Sequence, residues 1–139
     1  MKKIVITFFI AVSLLACQQN IEDSDIEKIN GYWEIEEVIL PDGNKKEYKI
    51  SETIDYFEVK NNAGFRKKVM PQFDGTYKAN DLSESLKISK TGNDFFIEYQ
   101  TDYGKWKEQI LEVSDENLVL KNQQELEYHY KKPVPFTLK

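Results

Sequence analysis

Two side chains in this 139-residue chain offer thiol or imidazole chemistry, because the sequence contains one cysteine, Cys17, and one histidine, His129. Cys17 directly follows an apolar run over residues 4–15 that starts after two lysines and ends at Ala16. The run is too short for a permanent membrane-spanning helix, and a positive start with a small residue at the end is typical of a secretion signal. The sequence therefore predicts that residues 1–16 are a cleaved signal peptide.

The four residues Leu14-Leu15-Ala16-Cys17 resemble the lipobox of bacterial lipoproteins. The resemblance implies that the thiol receives a thioether-linked diacylglycerol, that a peptidase cuts before Cys17, and that the new amine is acylated, for example with palmitate. Two or three acyl chains hold a protein on a bilayer far more firmly than one, since each buried methylene adds about 0.8 kcal/mol. An ordinary signal peptide that ends at a chance cysteine is the alternative.

The residues after Cys17 bear on where the protein is held. Residues 17–23 are predicted to be the lipidated cysteine and a polar tether. Gln18 resembles the residue that sends lipoproteins of Gram-negative bacteria to the outer membrane, and the loose acidic cluster of Glu22, Asp23 and Asp25 is similar to surface-display signals. A solvated tether explains the cluster equally well. We expect an exported protein anchored to the cell envelope, in the outer membrane of a Gram-negative bacterium.

The rest of the sequence contains no pattern typical of catalysis. His129 falls on the polar face of a predicted strand, where nothing local would orient a partner for general-base chemistry. Carboxylates are plentiful, but no pair is singled out, and zinc, phosphate-loop and calcium-loop motifs are absent from the sequence. Lipidation of Cys17 uses the one thiol, which excludes disulfides and cysteine nucleophiles. We expect no enzyme activity, no catalytic residue, no cofactor and no metal site.

Charge argues against a nucleic-acid partner. The chain has a formal net charge of −5, and loss of two lysines with the 16-residue signal leaves 123 residues with a charge of −7. Nucleic-acid binders concentrate positive charge, whereas the one basic run here, Arg66-Lys67-Lys68, is typical of a solvated hairpin. A chain of this length predicts one domain with enough buried surface for a core.

Short strands and turns dominate the chain after a brief helical segment. Ser24 and Glu27 have the spacing of a capping box, and Asn30-Gly31 ends the turn, which predicts a helix over residues 24–30. Alternating apolar and polar residues then predict eight or nine strands, with an optional short one at 48–50. The predicted bounds are 31–40, 53–60, 65–70, 73–79, 84–90, 95–101, 104–113, 118–122 and 125–131.

A meander of this length has exposed edges unless it closes on itself. We therefore predict an all-β fold, an up-and-down antiparallel β-barrel of about eight strands over residues 24–133, followed by a tail at 134–139. A two-sheet sandwich is the alternative, because either architecture needs one apolar and one wet face. A slip in the alternation between Ile110 and Leu111 predicts a bulge.

Two short motifs in this strand context resemble those of lipocalins. Gly31-Tyr32-Trp33 resembles the Gly-x-Trp signature of the first barrel strand, with Trp33 over the closed end, and Thr101-Asp102-Tyr103 resembles the second family motif. By residue type, Asp102 is expected to bond nearby backbone amides in a turn. The third motif, an arginine that packs over the tryptophan, is missing, and Lys121 is the nearest substitute. The resemblance, shared with small lipocalin-like domains of bacterial lipoproteins, covers residues 24–131 and implies a barrel that can hold one small ligand.

Aromatic side chains are the remaining candidates for binding. Tyrosine and tryptophan suit pockets and sugar-stacking surfaces, although core packing and cross-strand pairing use them as well. The candidate ligand-binding residues are Tyr56, Tyr77, Tyr99, Trp106, Tyr128 and Tyr130. Two functions stay open: a membrane-anchored lipocalin-like protein with a small hydrophobic or amphipathic ligand in the barrel, and a filled-barrel module that binds an envelope protein or glycan. The first needs an apolar cavity of about 300 Å³ or more, and the second needs a packed interior and an exposed aromatic patch.

Overall fold

The computed structural model describes residues 20–48 and 53–134. A 3₁₀ helix spans Asp23–Ile29, close to the predicted bounds. Its N-cap is Glu22, whose backbone amide donates a hydrogen bond to Asp25 Oδ2 at 2.9 Å. The predicted capping box of Ser24 and Glu27 is therefore wrong by two residues, because the nearer carboxylate of Asp25 already satisfies the cap. The predicted signal peptide and Cys17 lie outside the described residues.

Nine strands follow the helix in the described part of the chain. Their bounds are β1 (Gly31–Ile39), β2 (Lys45–Glu47), β3 (Ile54–Lys60), β4 (Ala63–Pro71), β5 (Tyr77–Thr91), β6 (Asp94–Thr101), β7 (Gly104–Val113), β8 (Asn117–Lys121) and β9 (Glu127–Lys131). β2 lies at residues 45–47, before the optional strand or irregular loop predicted at 48–50; Tyr48 is outside any strand, and Lys49 and Ile50 lie outside the described residues.

The separate strands predicted at 73–79 and 84–90 are wrong. Residues 73–75 belong to a turn, and β5 then runs without a break for 15 residues. Asn80 gives the reason, because its side chain accepts a hydrogen bond from the Leu82 amide at 3.1 Å. The register between β4 and β5 shifts here, so the strand bends and continues to pair.

The barrel closes through β1. This strand pairs with β3 through Gly31–Trp33 and with β9 through residues 34–39, and β2 adds to it at Glu37–Ile39. Every pairing in the described residues is antiparallel, and β1 with β3 to β9 forms a closed ring of eight strands. The predicted up-and-down barrel is confirmed and the sandwich alternative is wrong. Closure pairs strand edges that an open sheet would expose.

The helix covers one end of the barrel. Ile26 and Ile29 are buried at its inner face, and Trp33 is fully buried beside them. The indole N–H of Trp33 donates to the carbonyl oxygen of Ile29 at 2.8 Å, and Asn30 accepts a hydrogen bond from the Val59 amide at 2.6 Å. These bonds fix the helix to β1 and β3, so this end is closed by apolar side chains and satisfied polar groups.

A lysine packs over Trp33, at a different position from the predicted one. Lys132 Nζ lies 3.8 Å from the centroid of the indole ring. The predicted substitute, Lys121, ends β8 at the opposite end of the barrel and pairs with Glu125 at 3.2 Å. The prediction of Lys121 is therefore wrong. Lys132, which directly follows β9, lies at the closed end of the barrel, next to the start of β1.

Apolar side chains fill the barrel upward from the closed end. The fully buried ones include Phe57, Ile97, Ile110, Val113, Leu118 and Leu120. The predicted bulge is confirmed, because the register of β7 against β8 shifts between Ile110 and Glu112. The extra residue lets both Ile110 and Val113 face the core, which strict alternation would not allow.

Candidate functional site

A cavity lies at the open end of the barrel, near the turn between β8 and β9. Its volume is about 340 Å³, and we call it the mouth cavity. It is lined by Arg66, Lys68, Trp106, Lys107, Glu108, Asn122, Gln123, Gln124, Tyr128 and Tyr130. Glu108 and Tyr130 are buried at its base, whereas Trp106 and Tyr128 are partly exposed. The cavity has the size of a site for a small molecule.

Beside the mouth cavity the barrel interior contains charged residues, namely Asp55, Arg66, Lys68, Glu84 and Glu108, which we call the interior charge cluster. Arg66 Nη2 donates to Glu84 Oε2 at 2.7 Å and Nε donates to Glu84 Oε1 at 3.3 Å. Arg66 Nη1 lies 3.4 Å from Glu108 Oε1 and 3.3 Å from the Tyr99 hydroxyl oxygen. The guanidinium also lies 4.2 Å from the Tyr99 ring centroid. Several bonds thus hold this cation in one position.

A second ion pair lies next to the first. Lys68 Nζ is 2.6 Å from Asp55 Oδ1, and Asp55 is almost completely buried. Burial raises the pKa of Tyr130 well above its ordinary value, and Asp55 and Glu108 raise it further. Tyr130 therefore stays a neutral hydroxyl in this cluster.

Glu108 is the carboxylate that lines the mouth cavity, and it is almost as buried as Asp55. Burial raises the pKa of Glu108 above its ordinary value, and the nearby Arg66 opposes that shift only in part. Its carboxylate also interacts with the Tyr99 hydroxyl. Glu108 is thus a charged group whose ionised form the interior does not fully stabilise.

Sequence reasoning missed this cluster and placed Arg66-Lys67-Lys68 on a solvated hairpin. That interpretation is wrong for Arg66, whose side chain is only 12% exposed. The two-residue turn at Asn61-Asn62, where both residues have positive φ, pairs Lys60 with Ala63 and so sets Arg66 opposite the buried Phe57. The same pairing counted from the turn in the sequence would have placed this arginine inside the barrel.

The structure divides the six predicted aromatic residues into two groups. Tyr99, Trp106, Tyr128 and Tyr130 face the interior, and the rings of Tyr99 and Trp106 stack with centroids 5.4 Å apart. Tyr56 and Tyr77 lie on the outer wall instead. There they form an outer aromatic cluster with Tyr32 and Phe65, in which Tyr32 and Tyr77 stack at 4.1 Å.

The motif residues of the β6–β7 turn have a local role. The Tyr103 amide donates to Thr101 Oγ1 at 3.1 Å, and the Tyr103 ring is fully exposed. The hydroxyl of Thr101 therefore accepts the bond that was expected of Asp102. At the other motif, Gly31 has a φ of +115°, a conformation that favours glycine where β1 leaves the helix.

The rest of the described chain contains a larger cavity and the single histidine. A larger open cavity of about 550 Å³ borders β4 to β7 and shares Trp106 with the mouth cavity. Its other inward residues, Leu86 and Tyr99, are only 2% and 1% exposed, and the rest of its lining is mostly polar or charged. His129 is partly buried on the outer wall, 3.8 Å from Glu127. In residues 20–48 and 53–134, no group of three His, Cys, Asp or Glu side chains could hold a metal ion. No helix in these ranges is long and apolar enough to span a membrane.

Comparison with known proteins gives one family and one similar structure. Residues 29–120 match the family model of a lipocalin-like domain. A crystal structure of a lipocalin-like protein from Bacteroides uniformis is similar over 76% of this chain and 98% of that one, with 13% identity and a TM-score of 0.48. No curated protein matches the sequence.

Proposed function

Because this chain belongs to the lipocalin-like domain family, we propose that it is a binding protein whose small amphipathic ligand occupies the mouth cavity. One observation carries the proposal: aromatic side chains and a buried network of charges meet at the same cavity of about 340 Å³. Ligand sites combine apolar or aromatic contacts with fixed polar groups, and this cavity offers three aromatic rings among side chains that are mainly polar or charged. The proposal includes no catalysis.

The packed interior limits how deep such a ligand sits. Phe57 and Ile97 are the fully buried cross-strand partners of Arg66 and Glu108, and Leu120 is fully buried as well, so the barrel next to the charge cluster is filled by the protein itself. A long acyl chain would have to displace that core, at a cost of several kcal/mol for each large side chain moved. The proposed ligand is therefore small, with an apolar part against Trp106 or Tyr128 and a polar group toward Glu108.

Anchoring through Cys17 is also part of the proposal. The lipobox supports it, since the cysteine follows an apolar signal at the one position where lipidation chemistry requires it. We place the protein at the outer membrane of a Gram-negative bacterium, with the barrel on a short polar tether. Labelling cells with a radioactive fatty acid tests the anchor: label is expected on the natural chain and lost from Cys17→Ser, and label retained on the variant would contradict it.

Native mass spectrometry of residues 18–139, incubated with an extract of the producing cell envelope, tests the ligand. We expect a bound small molecule that is released on denaturation. Tyr128→Leu should lose it, because this ring lines the mouth cavity and does not line the larger one. Tyr103→Leu is the matched control, since the Tyr103 ring at the same end of the barrel is fully exposed. A clean apo mass, or equal retention by both variants, would contradict the proposed site.

The outer aromatic cluster favours a second candidate, an interaction module for an envelope protein or glycan. Tyr32, Tyr56 and Tyr77 are partly exposed on one wall, and Met70 and Phe73 are exposed on the nearby β4–β5 hairpin. Aromatic faces of this kind suit both protein and sugar contacts. Capture of an envelope component that Tyr77→Ser abolishes, while the mouth ligand stays bound, would establish this function. Equal capture by Tyr77→Ser would exclude the cluster.

A further inference from the structure

The interior charge cluster contains one more carboxylate than cation. Arg66 is held by Glu84 through two bonds of 2.7 and 3.3 Å, and Lys68 is held by Asp55 at 2.6 Å. Glu108 reaches Arg66 only at 3.4 Å, on a guanidinium that already has a bidentate partner. Glu108 therefore shares Arg66 with Glu84 and has the longest ion pair of the three carboxylates in this cluster.

The surroundings of Glu108 make this excess charge costly. Its side chain is 8% exposed, and a buried charge without full pairing destabilises the state that contains it. Lys107 is next to it in β7, but the ammonium of Lys107 lies 5.0 Å from the Phe96 ring on the outer wall. Arg66, which Glu84 also holds, is thus the cation that pairs with Glu108, and the charge of Glu108 at the mouth cavity is only partly compensated.

The same cavity presents aromatic rings to its contents. Trp106 is held by its stack on Tyr99, and Tyr128 is held by a hydrogen bond that its hydroxyl accepts from Asn122 at 3.2 Å. The faces of such rings attract cations, most strongly the face of tryptophan. A carboxylate and aromatic rings that line the same cavity are complementary to a positively charged ligand.

We infer that the mouth cavity binds a small organic cation, an amine or quaternary ammonium, whose charge pairs with Glu108 and whose apolar part contacts Trp106 and Tyr128. This inference rests on the proposed function and narrows its ligand to one charge class. An anion of the same size would bring a second negative charge beside Glu108, while Arg66 and Lys68, which also line the cavity, are already paired with Glu84 and Asp55. Like charges at such distances repel strongly in a partly dry site.

Three probes of matched size test the inference: phenethylammonium, the neutral 2-phenylethanol and the anionic phenylacetate. Their affinities for residues 18–139, which contain the helix and all the described strands, are measured at pH 7 by calorimetry and by tryptophan fluorescence. Circular dichroism and a cooperative melt first establish that this soluble form is folded. We expect phenethylammonium to bind at least about tenfold more tightly than the other two probes.

A matched pair of variants assigns the selectivity. Glu108→Gln keeps the size and hydrogen-bonding capacity of the side chain and removes its charge, so the advantage of the cation should disappear. Glu98→Gln removes an exposed carboxylate on the outer wall of the neighbouring strand β6 and should keep that advantage. If Glu108→Gln does not fold, the order of the three probes on the unmodified chain still decides the charge class.

Each other outcome overturns a defined part of the reasoning. Tighter binding of phenylacetate, or equal binding of all three probes, would overturn the inference and leave the proposed function intact. A cation preference that persists in Glu108→Gln would overturn the role of Glu108. If none of the probes binds while a ligand from the envelope extract does, the inference alone fails; if that extract also leaves the protein empty, both fail.

Discussion

Replacing Arg66 with methionine removes the only arginine of the chain from the middle of the interior charge cluster. Methionine keeps much of the apolar length but leaves Glu84 and Glu108 without the guanidinium. Breaking one side of a buried ion pair costs about 3–5 kcal/mol. Because Arg66 is 12% exposed and Glu84 is 23% exposed, solvent screens part of the loss and we expect about 3 kcal/mol. For a domain of this size that lowers Tm by about 12 °C.

Urea unfolding at several pH values measures this cost, with Lys67→Met as the matched control. Lys67 is the next residue in β4 and faces outward, 5.1 Å from the Phe65 ring, so its loss should cost no more than about 1 kcal/mol. Without Arg66, the pKa of Glu108 rises further in the folded state, because the guanidinium is the charge that opposes the effect of burial. A carboxyl whose folded pKa is raised stabilises the fold as pH falls toward its ordinary value, so the deficit of Arg66→Met should shrink between pH 7 and pH 5.

Two results would refute this reasoning. An Arg66→Met deficit no larger than that of Lys67→Met would mean that the buried ion pairs add little beyond packing. A deficit that stays constant with pH would mean that uncompensated carboxylates are not its cause. In either case the interior charge cluster would no longer explain why this barrel tolerates charge inside it.

Three further predictions concern single positions. Glu108→Gln should stabilise the fold at pH 7 and lose that advantage near pH 4. Burial raises the pKa of this carboxyl, so the stability of the natural chain falls as pH rises through that pKa. Thermal melts across this pH range would show the melting temperatures of the two chains converge at low pH. Lys132→Met should cost about 1 kcal/mol by removing the cation over the indole ring, whereas Lys121→Met, which breaks an exposed pair, should cost less than about 0.5 kcal/mol in urea. Gly64→Ala should lower the free energy of unfolding by more than about 3 kcal/mol or prevent folding, since a Cβ there would lie 1.7 Å from a backbone oxygen of β3. Gly104→Ala is the control: it has open space around it and should melt near the temperature of the natural chain.

The elements of this fold were largely predictable from local pattern. Alternation placed most strands to within a few residues, and the slip at Ile110 located the β7 bulge, because side chains in a strand alternate with a fixed period of two. The exception was β5, which joined two predicted strands. At its register shift against β4, the Asn80 side chain accepts a hydrogen bond from the Leu82 amide, and an alternation pattern does not predict such a bond.

Part of the candidate site was visible in the sequence as well. Three of the six aromatic candidates, Trp106, Tyr128 and Tyr130, line the mouth cavity, and Tyr99 stacks on Trp106 behind it, since each occupies the inner phase of its strand. The outer position of Tyr56 and Tyr77 was not predictable from residue type, because tyrosine suits either face of a sheet.

What the sequence determined by itself was therefore the strand content, the turns and the likeness of Gly31-Tyr32-Trp33 to a barrel's first strand. Only the tertiary structure gave the inward charges their partners, and it placed Lys132 rather than Lys121 over Trp33. The physical reason is that both outcomes depend on partners far apart in the chain. Arg66 is stable in the interior because closure of the barrel brings Glu84 and Glu108 to it. That pairing offsets the desolvation cost of the buried guanidinium, which no neighbour in the local sequence would offset.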